Sequence, residues 1–407
     1  MLSKEARENI FREIYSRFLG KMANVKLNFE RETVTAVDWN DRMVCIRGPR
    51  GCGKTTFVLQ YIKKNFKLDG SVLYVSLDDL YFSTHSLLAF AEDFVSFGGT
   101  HLFLDEIHKY ANWSIELKNI YDSCSELKVV LTGSSILEIN KGKADLSRRV
   151  VTYDMAGLSF REFLKLEAGL KLEVFSLEDI LTRHLEISMM VTEKCKPLPL
   201  FHNYLTYGYY PYFLENKNTY PIKLGNTANL ILETDLPALY PIEYGNIIKL
   251  KKLLGLLSSI GPYKPDINKL SGQVEVSRNT LLHFLMYLKE ACLLNLLKDA
   301  DKGESILTKP EKVYLHNTNL AYAFGANTAD TGMMREVFFL NQVSAKYPVH
   351  HTKVGDFKVA GKYLFEVGGK GKTFDQIKGL PDSYIAAGEI EHGFGSKIPL
   401  WMFGLLY

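Results

Sequence analysis

The chain has few cysteines and no long apolar run, and each absence excludes a class of protein. Its five cysteines are scattered, odd in number and never spaced as Cys-x-x-Cys, so neither a disulfide framework nor a zinc-binding cysteine cluster is expected. No apolar segment approaches the roughly 20 residues that cross a bilayer. Residues 1–8 are charged, unlike a secretion signal. These features predict a cytoplasmic protein with no membrane partner.

A strong excess of one charge is also missing. Lys and Arg number 49 against 46 Asp and Glu, which gives a formal net charge of +3. This balance permits nucleic-acid binding without requiring it, because a local patch matters more than the sum. At 407 residues the chain is long enough for two to four domains, since one domain takes about 150 residues.

A glycine-rich loop gives the clearest motif. Residues 42–47 are typical of a buried strand and residues 56–62 have helical apolar spacing, so the loop joins a strand to a helix. Glycines let backbone N–H groups surround phosphates, and the helix N-terminus adds positive potential. Lys54 would contact the β- and γ-phosphates, and the Thr55 hydroxyl would bind Mg²⁺. The predicted ATP-binding loop comprises Gly48, Pro49, Arg50, Gly51, Cys52, Gly53, Lys54, Thr55 and Thr56.

Two carboxylates end a second apolar segment, residues 101–104. Asp105 would hold Mg²⁺ through water, and Glu106 would polarise the attacking water as a general base. Alone, two acids at the end of a strand would be ordinary surface residues. Together with the phosphate loop they predict hydrolysis, with Glu106 and Lys54 as catalytic residues.

Further strands are predicted at 71–77 and 128–133. Strands that alternate with helical segments form a parallel sheet with helices on both faces, and its ligands lie at the carboxyl ends of the strands. Ser134 or Ser135 could therefore contact the γ-phosphate, although a helix cap explains either serine equally well. Arg149 could stabilise the transferring phosphoryl group in cis or from a neighbouring subunit; a surface pair with Arg148 is the alternative.

The order of these motifs resembles that of prokaryotic AAA-type ATPases with a C-terminal domain of unknown function, over nearly the whole chain. The resemblance rests on the phosphate loop at 48–55, Leu-Asp-Glu-Ile-His at 104–108, Leu-Thr-Gly-Ser-Ser at 131–135, Leu-Ser-Arg-Arg at 146–149, Leu-Ser-Phe-Arg-Glu-Phe at 158–163 and Tyr-Gly-Tyr-Tyr-Pro at 207–211. The 158–163 segment is the most specific of these. The resemblance implies an AAA-type core and favours Arg149 as the catalytic arginine, although Arg148 replaces the family's glycine. It also suggests that His108 could link the site to bound partners; a structural role for this histidine is favoured.

Three helices are predicted at 247–257, 266–271 and 277–288, the last with a capping serine. Their order is similar to that of a winged helix, which would offer the third helix to a DNA groove. Packing between domains is an equal alternative. The candidate groove residues are Ser277, Arg278, Asn279 and His283. Nearby lysines are either phosphate contacts or a solvated face, namely Lys249, Lys251 and Lys252.

For the C-terminal region the resemblance implies a restriction-endonuclease-like fold. A helix at 332–339, with its acidic residue Glu336, would precede a hairpin that carries Asp356 and Glu366, a possible second metal site. Active nucleases of this fold place a water-activating lysine two residues after the second acid. Gly368 stands there instead, and Lys370 lies two residues further on. Either the nuclease centre has migrated, or it has become degenerate and has been retained for DNA or protein binding. The degenerate interpretation is favoured. Gln376 is expected on the following helix.

The sequence thus predicts an α/β protein with four parts: an AAA-type P-loop core (1–155), a helical lid or linker (156–245), a winged-helix domain (246–315) and a restriction-endonuclease-like domain (316–407). Its leading function is an ATPase with ATP and Mg²⁺ as cofactors, whose nucleotide state controls engagement of DNA or a protein partner. The alternatives are an ATP-gated, Mg²⁺-dependent nuclease and an ATP-binding signalling switch that does not hydrolyse. Nothing in the sequence fixes the oligomeric state.

Overall fold

The computed structural model describes residues 4–32, 36–134, 146–260, 264–299, 309–324 and 331–407. The candidate Ser135 lies outside these ranges. The chain divides into two units, Met1–Met155 and Ala156–Tyr407, and each is described separately below. Within the described residues, no helix combines the length and the apolar character that a membrane crossing requires.

A parallel sheet forms the centre of the first unit. Within the described ranges its strands are β1 Met43–Gly48, β2 Val72–Ser76, β3 His101–Asp105, β4 Lys128–Ser134 and β5 Val151–Asp154. They lie in the order β2-β3-β4-β1-β5, and every neighbouring pair is parallel. The three inner strands and the edge strand β2 are almost continuously buried, as expected where helices cover both faces. The predicted parallel α/β sheet is therefore present, and the carboxyl ends of β1, β3 and β4 meet at one edge.

The helices of the first unit include α1 Lys4–Ala23, α2 Lys54–Asn65, α3 Leu87–Ser96 and α4 Trp113–Ser123. Helix α2 follows β1 through the glycine-rich loop, as its apolar spacing predicts. Its buried face packs into the core through Phe57, Val58 and Ile62.

The second unit begins with α5 Phe160–Ala168, α6 Leu177–Thr192, α7 Pro197–Tyr207, α8 Tyr220–Leu230 and α9 Leu236–Leu239. A π-helical turn, Ile231–Asp235, joins α8 to α9. Helix α5 starts at a capping box in which Ser159 and Glu162 each accept a hydrogen bond from the other's backbone N–H. Ser159 Oγ also donates to Tyr407 O at 2.5 Å, so this start is fastened to the last residue.

Three helices and a hairpin come next: α10 Tyr244–Ile260, α11 Ile267–Val274, α12 Arg278–Glu290, β6 Leu294–Leu297 and β7 Lys312–Leu315. All three helices were predicted, and Ser277 caps α12 by accepting from Thr280 N. Strands β6 and β7 are antiparallel. A winged helix has this order of elements, and that assignment stays a prediction.

The remaining elements are α13 Thr318–Ala323, α14 Thr331–Ser344, β8 Val349–His350, β9 Phe357–Val359, β10 Tyr363–Gly368, β11 Ser383–Ala387, β12 Lys397–Pro399 and a 3₁₀ segment, Leu400–Leu405. Among the described strands of this region the sheet order is β12-β11-β10-β9-β8. The predicted hairpin is the antiparallel pair β9–β10, while β10, β11 and β12 run parallel.

The helix expected at Gln376 is not formed. Residues 375–379 are turns, with Ile377 N bonded to Phe374 O. Gly379 has a left-handed φ of 76°, and Pro381 cannot continue a helix. The stretch that remains is too short to nucleate an α-helix.

Candidate functional site

The glycine-rich loop passes tightly between β1 and α2. A Cβ on Gly48 would lie 2.2 Å from Met155 O, so no side chain fits there. Gly53, directly before α2, has a φ of 99°, a conformation that glycine adopts without steric cost. The loop therefore needs these glycines to bring its backbone N–H groups round the N-terminus of α2, the geometry of an anion-binding loop.

Lys54 lies inside this loop. Its side chain is buried, and Nζ donates to Gly48 O at 2.9 Å and Pro49 O at 3.0 Å. Gly48 stands in register with Ser134, at the carboxyl end of β4. The ammonium group is thus held within the loop, and the strand end that carries Ser134 is adjacent to the loop's first residue.

Asp105 is the shared acceptor of the site. Its Oδ2 accepts from Thr55 Oγ1 at 2.7 Å and from Tyr74 OH at 2.6 Å. Its Oδ1 accepts from Thr132 Oγ1 and from Glu106 N. The structure therefore brings together the hydroxyl and the carboxylate proposed to hold Mg²⁺, and both are oxygen ligands of the kind that cation prefers.

Tyr74 and Thr132 are site residues that the sequence analysis missed. Tyr74 lies on β2 and Thr132 on β4. Burial and the neighbouring charge of Asp105 raise the pKa of the Tyr74 phenol well above its usual range, so it stays a donor to the carboxylate. The available signal was a polar side chain near the carboxyl end of an otherwise apolar strand.

Glu106 is positioned by strained backbone and by a histidine. Its φ is 54°, in the left-handed region that non-glycine residues rarely adopt. His108 Nε2 lies 3.3 Å from Glu106 Oε2, and His108 Nδ1 accepts from Ser134 N at 3.4 Å. Because Nδ1 accepts, a neutral ring carries its hydrogen on Nε2, facing the carboxylate. His108 therefore joins the ends of β3 and β4.

Arg148 and Arg149 do not lie at the P-loop. Arg149 precedes β5, which runs parallel to β1, so it lies at the amino edge of the sheet, opposite the phosphate loop. Its Nε and Nη2 contact Asp122 Oδ1 at 3.2 and 3.1 Å. Arg148 is exposed. The structure does not bring either arginine to the P-loop of its own chain.

A second polar centre lies in the C-terminal region. Lys312 Nζ is 3.4 Å from Glu336 Oε2 and 3.3 Å from Asp356 Oδ1. Asp356 Oδ2 accepts from Val367 N at 2.9 Å, and Tyr314 OH donates to Glu336 at 2.8 Å. Burial, followed by the charge of Asp356, raises the pKa of Glu336. Glu336 is the acidic residue of the helix predicted at 332–339, now α14. Lys312 and Tyr314, from β7, are not identified from the sequence.

Glu366 has its own lysine. Its side chain is buried and pairs with Lys372 Nζ. The carbon chain of Lys372 lies 2.8 Å from where a Cβ on Gly368 would stand. Lys370, where a migrated centre would have its lysine, is exposed, and its carbonyl accepts from Lys397 Nζ. With its amide nitrogen towards the carboxylate, Gln376 donates to both oxygens of Glu366.

These contacts do not fit a bound cation. An ammonium group lies between Glu336 and Asp356, where a bridging metal would have to be, and another neutralises Glu366. Among the described residues, this centre does not gather three carboxylate or imidazole ligands close enough for one ion. The lysines of the centre supply the positive charge themselves.

The candidate groove residues of α12 are open to solvent at its first turn. Arg278 and Asn279 are exposed, whereas His283 is half-buried. The lysines of α10 are engaged within the fold: Lys249 and Lys252 contact Glu275, and Lys251 pairs with Glu233. The solvated-face interpretation therefore describes these lysines better than phosphate contact.

Comparison with known families agrees with the first site. Residues 40–164 match the family model described as an AAA domain, and residues 198–331 match one described as a domain of unknown function, DUF8612. The loop and the acidic pair lie within this range, so residues 40–164 carry the sequence features of an AAA domain. The 158–163 segment falls inside the matched range.

Two proteins of Methanocaldococcus jannaschii are similar to this chain. Uncharacterized protein MJ1637 is 26% identical over 74% of this chain and 66% of its own length. Uncharacterized protein MJ1544 is 26% identical over 64% of this chain and 57% of its own length. The chain thus spans less than two thirds of the length of either curated relative.

Solved structures with a partial likeness include AMPPCP-bound DnaA from Aquifex aeolicus, at 16% identity and a TM-score of 0.26, covering 61% of this chain and 82% of that chain. RuvB from Thermotoga maritima, in a variant form, is 17% identical with a TM-score of 0.26, covering 63% of this chain and 82% of that chain.

Proposed function

We propose that the protein hydrolyses ATP at the P-loop, with Mg²⁺, and that its nucleotide state controls how the second unit engages DNA or a protein partner. The observation that supports hydrolysis most directly is Asp105. It collects the Thr55 hydroxyl, the Tyr74 phenol and the N–H of Glu106 on one carboxylate. The metal ligands and the general base of the proposal are thereby held in one hydrogen-bonded group.

Each residue then has a separate task. The loop N–H groups and Lys54 bind the phosphates and offset the charge that develops during transfer. Thr55 and Asp105 would hold Mg²⁺, which supplies further charge neutralisation when bound. Glu106 accepts the proton of the attacking water, and Nε2 of His108 orients its carboxylate. Ser134, next to Gly48, is a candidate γ-phosphate contact.

Phosphate release from ATP tests this function. Lys54→Ala should abolish hydrolysis and weaken nucleotide binding. Glu106→Gln should keep binding but slow hydrolysis by on the order of 10²–10⁴, the usual contribution of a general base. The matched controls are Lys64→Ala, on the exposed part of α2, and Glu126→Gln, at an exposed acid. Tight nucleotide binding without any turnover by the wild type would favour the signalling-switch alternative.

The proposal also includes engagement of DNA by the second unit. Arg278 and Asn279 lie at the exposed first turn of α12, where a recognition helix presents its residues. The Glu106→Gln protein should bind duplex DNA with different affinity in ATP and in ADP, and Arg278→Ala should weaken that binding. Lys194→Ala removes an equivalent exposed charge elsewhere in the unit. Absence of DNA binding in every nucleotide state would leave a protein as the partner.

An ATP-gated nuclease is the second candidate function, and the contact between Lys372 and Glu366 favours it. Lys372 occupies the space next to Gly368 in which such enzymes place their lysine. Lys312 argues the other way, because its ammonium lies where a cation would bridge Glu336 and Asp356. We therefore favour a centre that binds its target without cutting it.

Plasmid incubated with excess protein, ATP and Mn²⁺ distinguishes these alternatives. Intact plasmid is the outcome expected for a centre that only binds. Nicking that is lost in Lys372→Ala but kept in the neighbouring Lys370→Ala would establish the nuclease. Nicking should then also be lost in Asp356→Asn and in Glu366→Gln.

A further inference from the structure

A mixed group of ligand-type side chains lies where the β6–β7 hairpin meets the C-terminal sheet. Asp299 follows β6, Glu311 immediately precedes β7 and His351 follows β8. One ligand atom from each of them lies within 4.8 Å of the other two. None of the three belongs to the ATP site or to the second polar centre, which we call the lysine-filled centre because Lys312 and Lys372 pair with its carboxylates.

Backbone hydrogen bonds hold the three segments side by side. His351 N donates to Lys298 O at 2.8 Å, and Asp299 and His351 face each other across an isolated parallel bridge. Glu311 N donates to Leu297 O at 2.9 Å. The positions of the three side chains are therefore set by main-chain contacts, which limits the reorganisation needed on ligand binding.

The donor set is that of a borderline divalent cation. One imidazole and two carboxylates are the ligand types found around Zn²⁺ and Mn²⁺. His351 Nδ1 is 2.7 Å from Asp299 Oδ1, and their side chains are 17% and 27% exposed. An ion could therefore enter from solvent and keep water in its remaining positions. A site for Ca²⁺ or Mg²⁺ would be built from oxygen ligands alone.

We infer that Asp299, Glu311 and His351 form a structural site for a divalent transition cation that ties the β6–β7 hairpin to strand β8. The function is additional to ATP hydrolysis and does not depend on it. Glu311 directly precedes Lys312, whose ammonium pairs with Asp356. A cation on Glu311 and His351 would thus fix both of the segments that lead into the lysine-filled centre.

Zinc titration of the full chain, stripped with EDTA and free of nucleotide, tests the site. Calorimetry should show that the wild type binds one Zn²⁺ per chain that His351→Gln does not bind, and zinc should raise the unfolding temperature of the wild type but not that of His351→Gln. Glu311→Gln removes a ligand but keeps the contact between Asp299 and His351. It therefore gives the same test if His351→Gln fails to fold.

His202→Gln is the matched control, because it removes an exposed histidine outside the group. It should keep both the zinc stoichiometry and the rise in unfolding temperature. Equal zinc binding by wild type, His351→Gln and Glu311→Gln would overturn the proposal, as would a wild type that binds no zinc. Loss of the site in His202→Gln would place the zinc elsewhere and would also overturn it.

Discussion

Individual side chains around Asp105 come from β2, α2 and β4 and converge on one carboxylate. Three of its donors are hydroxyl groups, from Thr55, Tyr74 and Thr132. Hydrogen bonds of this kind to a charged acceptor are stronger than bonds between neutral groups. They hold the Asp105 carboxylate in one orientation.

His108 gives the first prediction. Because its ring joins Glu106 to Ser134 N, His108→Ala should free the Glu106 carboxylate without touching the phosphate loop. We expect kcat to fall by roughly tenfold, less than the roughly 10²–10⁴ that a general base contributes, because Glu106 itself is kept. The dissociation constant for ATP should be nearly unchanged. Steady-state kinetics combined with nucleotide titration measures both quantities. An unchanged kcat would show that the histidine is only a packing residue.

His316 gives a prediction about pH. Burial lowers the pKa of its imidazole from 6.5 to about 4, so the unfolded chain binds this proton at higher pH than the folded chain does. Its contribution to stability is therefore fully present above pH 6.5 and is lost as the pH falls from 6.5 towards 4. The loss amounts to roughly 3 kcal/mol, at 1.36 kcal/mol per pKa unit.

Urea denaturation at a series of pH values measures this loss. His316→Gln should be less stable at pH 7 but show a flatter profile between pH 6.5 and 4 than the wild type. His202→Gln, at an exposed position, should follow the wild type. A profile for His316→Gln that parallels the wild type would contradict the assignment.

Among the secondary-structure elements, α5 begins within the motif at 158–163. The motif's Ser159 caps the helix, and Arg161 Nε donates to Tyr407 O at 3.0 Å. Phe160 N donates to Gln342 on α14. The 158–163 segment therefore fastens the start of the second unit to its end, and no nucleotide role is needed to explain these contacts.

Two capping boxes among the described helices, at the starts of α5 and α6, allow a matched stability experiment. Ser159 and Ser176 both cap a helix in the same way, but only Ser159 is buried and also donates to Tyr407 O. Ser176→Ala should cost about 1 kcal/mol, the usual value of a cap. Ser159→Ala should cost roughly 2–3 kcal/mol, because it also removes a buried hydrogen bond. Equal losses in urea denaturation would contradict the role given to Tyr407.

Local motifs explain what could be predicted. The phosphate loop, Asp105 and Glu106 follow from residues close together in the chain, and the parallel sheet follows from the alternation of strands and helices. Tyr74, Thr132 and Lys312 come from distant segments that strand order and register bring together, so motifs local in the chain do not identify them as site residues. Lys372 was missed because residues 369–372 turn back across Gly368, which strand periodicity does not describe. The helix predicted at Gln376 does not form, because Gly379 and Pro381 end the segment.

For the whole molecule, the position of Arg149 has a consequence for assembly. It lies at the sheet edge opposite its own P-loop and pairs with Asp122. If it acts in hydrolysis, it must act on a neighbouring subunit, and the active form is then an oligomer. Sizing chromatography of the Glu106→Gln protein, with and without ATP, should show a larger species when ATP is present.

Mixing inactive variants tests this arrangement. Arg149→Ala alone should lower hydrolysis by roughly 10³-fold, as is typical of a catalytic arginine, and Lys54→Ala alone should be inactive. A mixture should regain activity, because Lys54→Ala subunits supply the arginine to intact P-loops. Arg148→Ala, at the exposed neighbour, should behave as wild type. If the mixture does not regain hydrolysis, Arg149 does not act in trans.

The bond between Ser159 and Tyr407 joins residues 248 positions apart, and this has a consequence for synthesis on the ribosome. The first unit ends at Met155, so its residues leave the ribosome well before residue 407 does. The second unit cannot fasten its first helix until residue 407 has emerged, which at about 5–20 residues per second takes tens of seconds. During that interval the first helix of the second unit lacks its bond to residue 407, so this part of the chain cannot yet reach its final packing.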